Sequence, residues 1–530
     1  MKTKYIGLLI ILLTVLMACQ KDDYVIAEPV IEDTPVSSPS PTFSMGSADF
    51  STFVSVGSSI TAGYSDGALF AKGQGVAFSN ILAQQFTLVG GGEFTQPLIG
   101  DDIGGLLADG QQIVDVRRIF DLTNQEPIFI DGSPTTDITN IIAGPYNNMG
   151  VPGAKSFHLL APGYGSYANF PDAANPYFIR MASAPDARVI DDAMAMSPTF
   201  FSFWIGNNDV LGYARNGGDG SDPITEKATF DFALTTLVEA MTSSGAKGII
   251  TNIPDVAKLP YFTTVPFAPL DPTNPDFGPQ IPTLNGIFGQ LNQVYAFLEM
   301  PERSIVFSQS AASAVVIKDE TLVDIGDQIA AVLNGSPAFP LFVQQFGLPV
   351  EAAPAVASLL GSIYGQTRQA NENDLLVLPS SNVIGTVNAD VVAFLLTQNL
   401  PEALAGQFAV EGITHPLEDK WVLLPSEQEE IATAIADFNT TIQNLATQND
   451  IAFFDVNTFF NGLATNGFQA GSAFITADYV TGGTFSLDGI HPSPRGNAVI
   501  ANQIIGLINA KYGSTIPKVN PVDYTGLYID

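Results

Sequence analysis

Short apolar segments alternate with longer segments of helical periodicity along much of this chain, and this alternation constrains its fold more than any other feature. The runs Phe53–Val56, Thr199–Ile205, Lys247–Asn252 and Ile451–Val456 have the length and composition of buried strands. Strands that are separated by helical segments usually form a parallel sheet with helices packed on its faces. The sequence therefore predicts an α/β fold with a parallel sheet between two helical layers.

The helical segments are recognised by apolar residues at intervals of three and four. These segments are Val76–Phe86, the stripe Phe230, Ala233, Leu234, Leu237, Val238 and Met241, the stripe Ile431, Ile435, Phe438, Ile442 and Leu445, and Asn497–Ala510. Ser426, with Glu429 three residues later, predicts a capping box at the start of the third helix. No strand is evident between Ser59 and Gly153.

One long segment interrupts the order of strands and helices. Residues 258–425 are too many for an ordinary connection, and they combine apolar runs with many Pro and Gly residues. With 530 residues, the chain is long enough for two domains or for one domain with a large insertion. We interpret 49–257 and 426–530 as two parts of one core, and 258–425 as a mainly helical insertion or lid. A second, independent domain without a role at the site is the alternative.

The amino terminus is a processing signal rather than part of the fold. Lys2 and Lys4 precede the apolar run Ile6–Met17, which is too short for a stable membrane span. Residues 16–19, Leu-Met-Ala-Cys, resemble a bacterial lipobox, in which the cysteine is lipidated. We therefore predict a signal peptide over 1–18, a lipid anchor on Cys19, and a flexible tether over 19–48. An ordinary secretory signal with an accidental cysteine is the alternative.

The tether and the charge of the chain indicate where the protein works. Residues 20–23, Gln-Lys-Asp-Asp, resemble the charged tag that exports lipoproteins to the cell surface in some Gram-negative bacteria. The expected location is therefore the outer membrane, with exposure at the cell surface. A net charge of −33 excludes nucleic acid as a partner, because phosphate backbones require a basic surface. The acidic residues are typical of a solvated surface.

Two short segments at opposite ends of the chain carry complementary chemistry. Residues 57–59, Gly-Ser-Ser, follow the first predicted strand, and residues 488–492, Asp-Gly-Ile-His-Pro, supply a carboxylate and an imidazole. The chain has only three histidines, so a histidine beside an aspartate is informative. A serine hydroxyl becomes a nucleophile when a base takes its proton, and a carboxylate keeps that base in the right tautomer. The residues predict a serine nucleophile with a His–Asp pair.

Two further motifs lie between these segments. Residues 147–154, Asn-Asn-Met-Gly-Val-Pro-Gly-Ala, form a glycine-rich turn, and residues 206–209, Gly-Asn-Asn-Asp, follow the strand over 199–205. With these four blocks in this order, the chain resembles the SGNH (GDSL-type) hydrolases. One position departs from the family, since Ser58 stands where its first block usually has Asp.

The resemblance implies a role for each matching residue and a fold for the core. It implies that Ser59 is the nucleophile, that His491 is the base and that Asp488 orients it. It also implies that the oxyanion hole consists of the Ser59 and Gly153 backbone N–H groups and the Asn208 amide. The fold that it implies is a flavodoxin-like three-layer α/β/α core, and the reaction is ester hydrolysis without a cofactor.

Other candidate sites are weaker. His158 is interpreted as a packed residue, and His415 stays an alternative to His491 as the base, although no Asp precedes it at the same spacing. The sequence has no His-Glu-x-x-His motif and no pair of cysteines, so we expect no zinc site. Residues 216–222 could hold calcium, but a flexible polar loop is favoured. No metal is expected.

The sequence therefore predicts a lipid-anchored extracytoplasmic serine esterase that forms an acyl-enzyme on Ser59. The expected partners are an ester substrate and a membrane, the latter through Cys19. The apolar insertion favours acyl esters of lipids or of other hydrophobic alcohols. An esterase that removes acetyl groups from carbohydrates is an alternative. So is a non-catalytic surface lipoprotein that binds glycan or lipid on an inactive hydrolase fold.

Overall fold

A five-stranded parallel sheet lies at the centre of the computed structural model, which describes residues 43–529. Its strands are β1 (Phe53–Gly57), β2 (Asn148–Gly150), β3 (Phe200–Trp204), β4 (Lys247–Thr251) and β5 (Ala452–Phe454). Their spatial order is β2-β1-β3-β4-β5, and each neighbouring pair is parallel. The predicted α/β class is confirmed. The signal peptide over 1–18, Cys19 and the tether up to residue 42 lie outside the described residues.

Successive side chains of a strand point to opposite faces of the sheet, and both faces of this sheet carry apolar side chains. Helices cover both faces, so both are buried. In β1, Phe53 packs into one hydrophobic cluster, whereas Val54 and Val56 pack into another. The first cluster includes residues of the helices Phe78–Thr87 and Pro494–Tyr512. The second includes residues of Val189–Ala195, Lys227–Thr242 and Pro425–Gln448. The core therefore has three layers, with the sheet in the middle.

Smaller elements complete the part of the core that lies outside the insertion. The further helices are Ser59–Ala62, Ala71–Gly75, Pro176–Ile179, Asn208–Arg215 and Val456–Asn466. Three antiparallel strand pairs are separate from the central sheet: Leu106–Ala108 with Gln111–Val114, Arg118–Asp121 with Glu126–Phe129, and Phe468–Ala470 with Ala473–Ile475.

The predicted strands are confirmed, but two local predictions need correction. The predicted capping box at Ser426 and Glu429 is wrong. The helix begins at Pro425, and Glu427 accepts a hydrogen bond from the Leu424 N–H at 2.6 Å. Proline suits the first helical position because the N–H that it lacks would have no helical acceptor there.

The second correction concerns the strand that the sequence did not reveal. β2 consists of only three residues, and its first residue is the polar Asn148. So short a segment has no recognisable hydrophobic pattern. Its register with β1 nevertheless sets where the following glycine-rich turn leaves the sheet.

The insertion, residues 258–425, is mainly helical and has a hydrophobic core of its own. Its helices are Pro260–Thr263, Ile281–Phe297, Gly326–Gly335, Phe339–Gln344, Ala353–Tyr364, Ala389–Thr397 and Glu402–Phe408. Its strand pairs are Val316–Lys318 with Thr367–Gln369 and Leu375–Leu376 with Val422–Leu423. Val377 and Leu423 also belong to the core beneath the sheet, and the chain from Phe43 onward forms one compact unit.

The described amino-terminal residues are part of the fold. Residues 43–48, at the end of the predicted tether, lie against the end of the last helix. The Ser47 N–H donates to the Tyr512 carbonyl at 2.8 Å, and Ala48 is buried. Within residues 43–529, no helix has both the length and the hydrophobicity needed to cross a membrane.

Candidate active site

The four sequence blocks meet at the carboxyl edge of the sheet. Ser59 begins a short helix after β1, Gly153 lies in the turn after β2, and Asn208 begins a helix after β3. The carboxyl ends of parallel strands share one edge, so loops from distant parts of the chain can converge there. The Asp488–His491 loop, which precedes the last helix, reaches the same edge.

Ser59 is positioned by the tight turn that joins β1 to the helix Ser59–Ala62. A Cβ on Gly57 would lie 2.3 Å from the Trp204 carbonyl oxygen, so only glycine fits this close approach. Ser58 is the buried residue before the helix, and Ser59 is the first helical residue. The Ser59 N–H therefore has no acceptor within the helix. Ser59 is 8% exposed, and its Oγ lies 2.8 Å from His491 Nε2.

The His491 ring lies between a hydroxyl and a carboxylate. His491 Nδ1 is 2.8 Å from Asp488 Oδ2. Because an ionised carboxylate only accepts hydrogen bonds, Nδ1 carries the proton and Nε2 is left to accept from Ser59. Asp488 Oδ1 also accepts from the backbone N–H groups of Ile490 and His491, both at 2.9 Å. Burial alone raises the pKa of the Asp488 carboxyl, but the positive charge that His491 carries when it is protonated and these hydrogen bonds hold that pKa well below its usual range.

A second buried carboxyl supports the Asp488 loop, and the sequence analysis missed it. Asp66 Oδ1 accepts from the Leu487 N–H at 2.9 Å, and the Asp66 N–H donates to Ser486 Oγ at 3.0 Å. Ser486 Oγ in turn donates to Asp488 Oδ1 at 3.0 Å. Burial raises the pKa of Asp66 to about 6, and the charge of Asp488 adds to the shift. Asp66 lies in a short polar turn, which resembles an ordinary loop in the sequence.

Asp66 is expected to make the stability of the protein depend on pH. Since its pKa is about 6 in the folded state and about 3.9 unfolded, the folded state binds more protons between these values. Stability contributed by the protonated carboxyl is present below about pH 4 and is lost as pH rises through 6. Asp66→Asn should therefore unfold with a free energy about 1–3 kcal/mol higher than wild type at pH 8. The difference should vanish below pH 4.

The measurement is urea unfolding at several pH values. Asn retains an oxygen acceptor for the Leu487 N–H and tolerates the left-handed backbone of Asp66, where φ is 54°. Asp66→Ala is the control, since it removes the acceptor as well as the charge and should be less stable than Asp66→Asn at every pH. Parallel pH profiles for wild type and Asp66→Asn would contradict the assigned shift.

Tyr64 covers one side of the histidine. Its ring centroid is 4.8 Å from that of His491. Burial and the nearby Asp488 charge raise the pKa of Tyr64 to about 12, so its hydroxyl stays neutral. The ring restricts the imidazole to the position between Ser59 and Asp488.

Gly153 and Asn208 offer hydrogen-bond donors at the same edge. Gly153 is exposed with φ of 80°, and its N–H donates to no acceptor within the described part of the chain. Asn208 Nδ2 donates to the Ala154 carbonyl at 2.9 Å, which ties the two loops together. An amide nitrogen has two hydrogens, so one N–H of Asn208 is left for another acceptor. Asp209 accepts from the Ser156 N–H and hydroxyl at 2.9 and 2.7 Å, which fixes the turn further.

The other two histidines lie away from Ser59. His158 stacks on Tyr164, with centroids 4.8 Å apart, and burial lowers its pKa to about 4. It is a packed residue, as the sequence analysis interpreted it. His415 lies in the insertion, where burial lowers its pKa. The hydroxyl contact to Ser59 is made by His491, so the structure gives no support to His415 as the base.

At two places in the described residues, acidic side chains lie close to other charged groups. Asp222, in the loop considered for calcium, pairs with Lys155 Nζ at 2.6 Å. Carboxylate oxygens of Glu320, Asp419 and Glu427 lie within 4.8 Å of one another. Burial and the neighbouring Glu320 raise the pKa of Glu427 to about 9, and burial raises that of Asp419 to about 6. A protonated Glu427 can share a hydrogen bond with Glu320.

A cavity of about 410 Å³, the histidine cavity, opens beside His491. Tyr64 and Asp488 line it from the core, and Tyr261, Leu378 and Ser381 line it from the insertion. Its lining residues Leu378, Ser381 and Tyr479 also line a second cavity of about 940 Å³, the insertion chamber. The remaining residues around the chamber belong to the insertion and are mostly apolar. The chamber therefore adjoins the cavity at His491.

Comparisons with known proteins give no independent support for a family. No protein-family model, curated protein or solved structure matches this chain. The functional interpretation therefore depends on the chemistry of the chain's own residues.

Proposed function

We propose that this protein is a serine esterase of the SGNH type, in which Ser59 is the nucleophile and His491 and Asp488 assist it. The observation that carries the proposal is the chain of contacts from Ser59 Oγ to His491 Nε2 and from His491 Nδ1 to Asp488, both at 2.8 Å. The strand order β2-β1-β3-β4-β5 supports it, because flavodoxin-like doubly wound sheets have this order.

The reaction follows from these contacts. Ser59 Oγ attacks the ester carbonyl carbon while His491 Nε2 takes the hydroxyl proton, and the ionised Asp488 stabilises the resulting imidazolium. The C–O bond to the alcohol then breaks, and His491 returns the proton to the leaving oxygen. Water attacks the acyl-enzyme in the same way and releases the carboxylic acid with free Ser59. No cofactor takes part.

Three donors are suited to the negative oxygen that forms during the attack. They are the Ser59 N–H at the start of its helix, the exposed Gly153 N–H and the second amide N–H of Asn208. Preorganised donors of this kind commonly contribute about 10²–10³ in rate each. The hydrogen bond from Asn208 to Ala154 keeps its amide beside the Gly153 turn.

The insertion chamber favours an ester with a long acyl chain. Its volume of about 940 Å³ is larger than an acetyl group needs, and its mostly apolar lining suits a hydrocarbon chain. This observation favours a lipid acylhydrolase over the alternative of a carbohydrate acetyl esterase. Anchoring through Cys19 would hold such an enzyme at a membrane. That anchor lies outside the described residues and remains a prediction.

A fluorophosphonate probe tests the nucleophile directly. Ser59 Oγ should attack the phosphorus, form an O–P bond and release fluoride, because His491 can accept the hydroxyl proton. Peptide mapping by mass spectrometry should locate the adduct on Ser59, and heat-denatured protein should give no adduct. Absence of labelling in folded protein, or an adduct on a different residue, would contradict the proposed function and favour a non-catalytic binding lipoprotein.

A further inference from the structure

Two arginines line the same cavity as His491. Arg118 begins the strand Arg118–Asp121, and its N–H donates to the Asp66 carbonyl at 2.8 Å. Its guanidinium carbon lies 4.8 Å from the centroid of the Phe129 ring, and a Cβ on Gly67 would be 2.6 Å from Nη1. The guanidinium is therefore held against Gly67, whose N–H donates to Asp488 Oδ2 at 3.1 Å.

Arg215 reaches the cavity from another direction. It is the last residue of the helix Asn208–Arg215, so the helix that begins with the oxyanion-hole candidate ends with this cation. Its guanidinium carbon lies 5.8 Å from the Tyr261 ring centroid. The Tyr261 N–H donates to the Gly489 carbonyl at 3.0 Å, within the loop that carries Asp488 and His491. Arg118 thus lies against Gly67 and Arg215 lies near Tyr261, and the backbone N–H groups of Gly67 and Tyr261 both donate to the loop that carries His491.

Neither arginine is paired with an acidic side chain of the described residues, although acidic residues outnumber basic ones in this chain. The sequence has 53 Asp and Glu but only 20 Lys and Arg. Within residues 43–529, neither Arg118 nor Arg215 has a carboxylate within 4 Å. The cavity also has two carboxylates, but Asp488 is paired with His491 and Asp115 is exposed at its rim. Packing on Phe129 accounts for the position of Arg118 but leaves its charge without an anion.

We propose that the ester cleaved at Ser59 carries an anionic group, a phosphate or a carboxylate, which Arg118 and Arg215 bind in the histidine cavity. This inference rests on the proposed function and names its substrate class. A guanidinium presents planar N–H pairs that match both anions. The insertion chamber would hold the acyl chain, so the substrate is an anionic amphiphile whose charge lies on the alcohol side of the ester.

A matched series of esters tests the proposal. Octanoyl esters of 4-hydroxybenzamide, 4-hydroxybenzoate and 4-hydroxybenzylphosphonate share one acyl chain and differ in the charge of the alcohol. The wild type should have a higher kcat/KM for the two anionic esters than for the benzamide ester. In the double variant Arg118→Gln/Arg215→Gln, the ratio of kcat/KM for an anionic ester to kcat/KM for the benzamide ester should fall about 10–100-fold. The ratio of phosphonate to benzoate then identifies the preferred anion.

Arg188→Gln is the control, because Arg188 is a half-buried arginine that pairs with Asp191 and does not line the cavity. It should keep the wild-type preference. The proposal is overturned if wild type shows no preference for the anionic esters, or if the double variant keeps that preference.

A binding measurement separates this inference from the proposed function. Octylphosphonate and octyl glucoside are two amphiphiles without an ester bond. In titration calorimetry, wild type should bind octylphosphonate more tightly than it binds octyl glucoside. In the double variant, the ratio of the two affinities, octylphosphonate over octyl glucoside, should fall by about 10-fold or more. If octylphosphonate binds in this way but none of the esters is cleaved, the esterase proposal fails and the anion site stands. If the two amphiphiles bind equally, the anion site fails whatever the esterase activity.

Discussion

Replacing Ser59 with alanine is expected to lower kcat/KM for ester hydrolysis by about 10⁴-fold or more, and His491→Ala should lower it by a similar factor. Ser59 Oγ and His491 Nε2 meet at 2.8 Å, so each group is effective only while the other is present. The double variant Ser59→Ala/His491→Ala should therefore be within about tenfold of either single variant. Steady-state kinetics on a chromogenic ester measures all three.

Ser58→Ala is the matched control, because Ser58 is the adjacent serine and is buried, whereas the hydrogen bonds of the His491 ring go to Ser59 and Asp488. It should retain activity within about tenfold of wild type. Circular dichroism should show that each variant is folded. Losses that multiply in the double variant, or equal losses from Ser58→Ala and Ser59→Ala, would mean that the two residues do not act as one unit.

The residues that meet at the sheet edge could be predicted from the sequence because each lies in a short, self-contained motif. Ser59 follows a buried strand, and Asp488 and His491 are three residues apart, so one loop brings their side chains together. The contact between Ser59 and His491 spans most of the chain, but the alternation of strands and helices already predicted a sheet that could bring them together.

The supporting residues could not be predicted because their roles depend on contacts between distant segments. Asp66 becomes important only when the Ser486–Asp488 segment folds over it, and Arg118 only when its strand lies against Gly67. β2 was missed for a different reason, since three residues carry too little pattern to distinguish a strand from a turn. For Asp66 and Arg118, the information lies in tertiary packing rather than in local sequence.

In the insertion too, local sequence predicted the elements but not the cavity that they form together. Its apolar runs predicted helices and suggested a lid, but the chamber is formed by residues from separate helices and loops. Leu284 lies in the helix Ile281–Phe297, whereas Ile384 and Ile413 lie in later loops. Their common cavity follows from how these elements pack. A periodicity within one segment cannot indicate it.

The chamber makes a sharp prediction at Gly406. This residue lies in the helix Glu402–Phe408 and lines the chamber. Apart from its chain neighbours and the backbone of its own helix, no atom of the described residues lies within 4 Å of the position that a Cβ would occupy. Gly406→Trp should therefore place an indole in the chamber without a clash in the helix. If the chamber holds the acyl chain, the ratio of kcat/KM for dodecanoyl over acetyl esters should fall by about 100-fold. Three or four methylenes that can no longer be buried account for this factor.

Gly335→Trp is the control for this experiment. Gly335 also lies in a helix of the insertion and also has open space at its Cβ, but it does not line the chamber. Both variants should have the thermal stability of wild type within a few degrees, which separates a blocked chamber from a damaged fold. Gly335→Trp should keep the wild-type ratio of long to short esters. If Gly406→Trp keeps it as well, the acyl chain binds elsewhere, and the insertion no longer supports a preference for lipid esters.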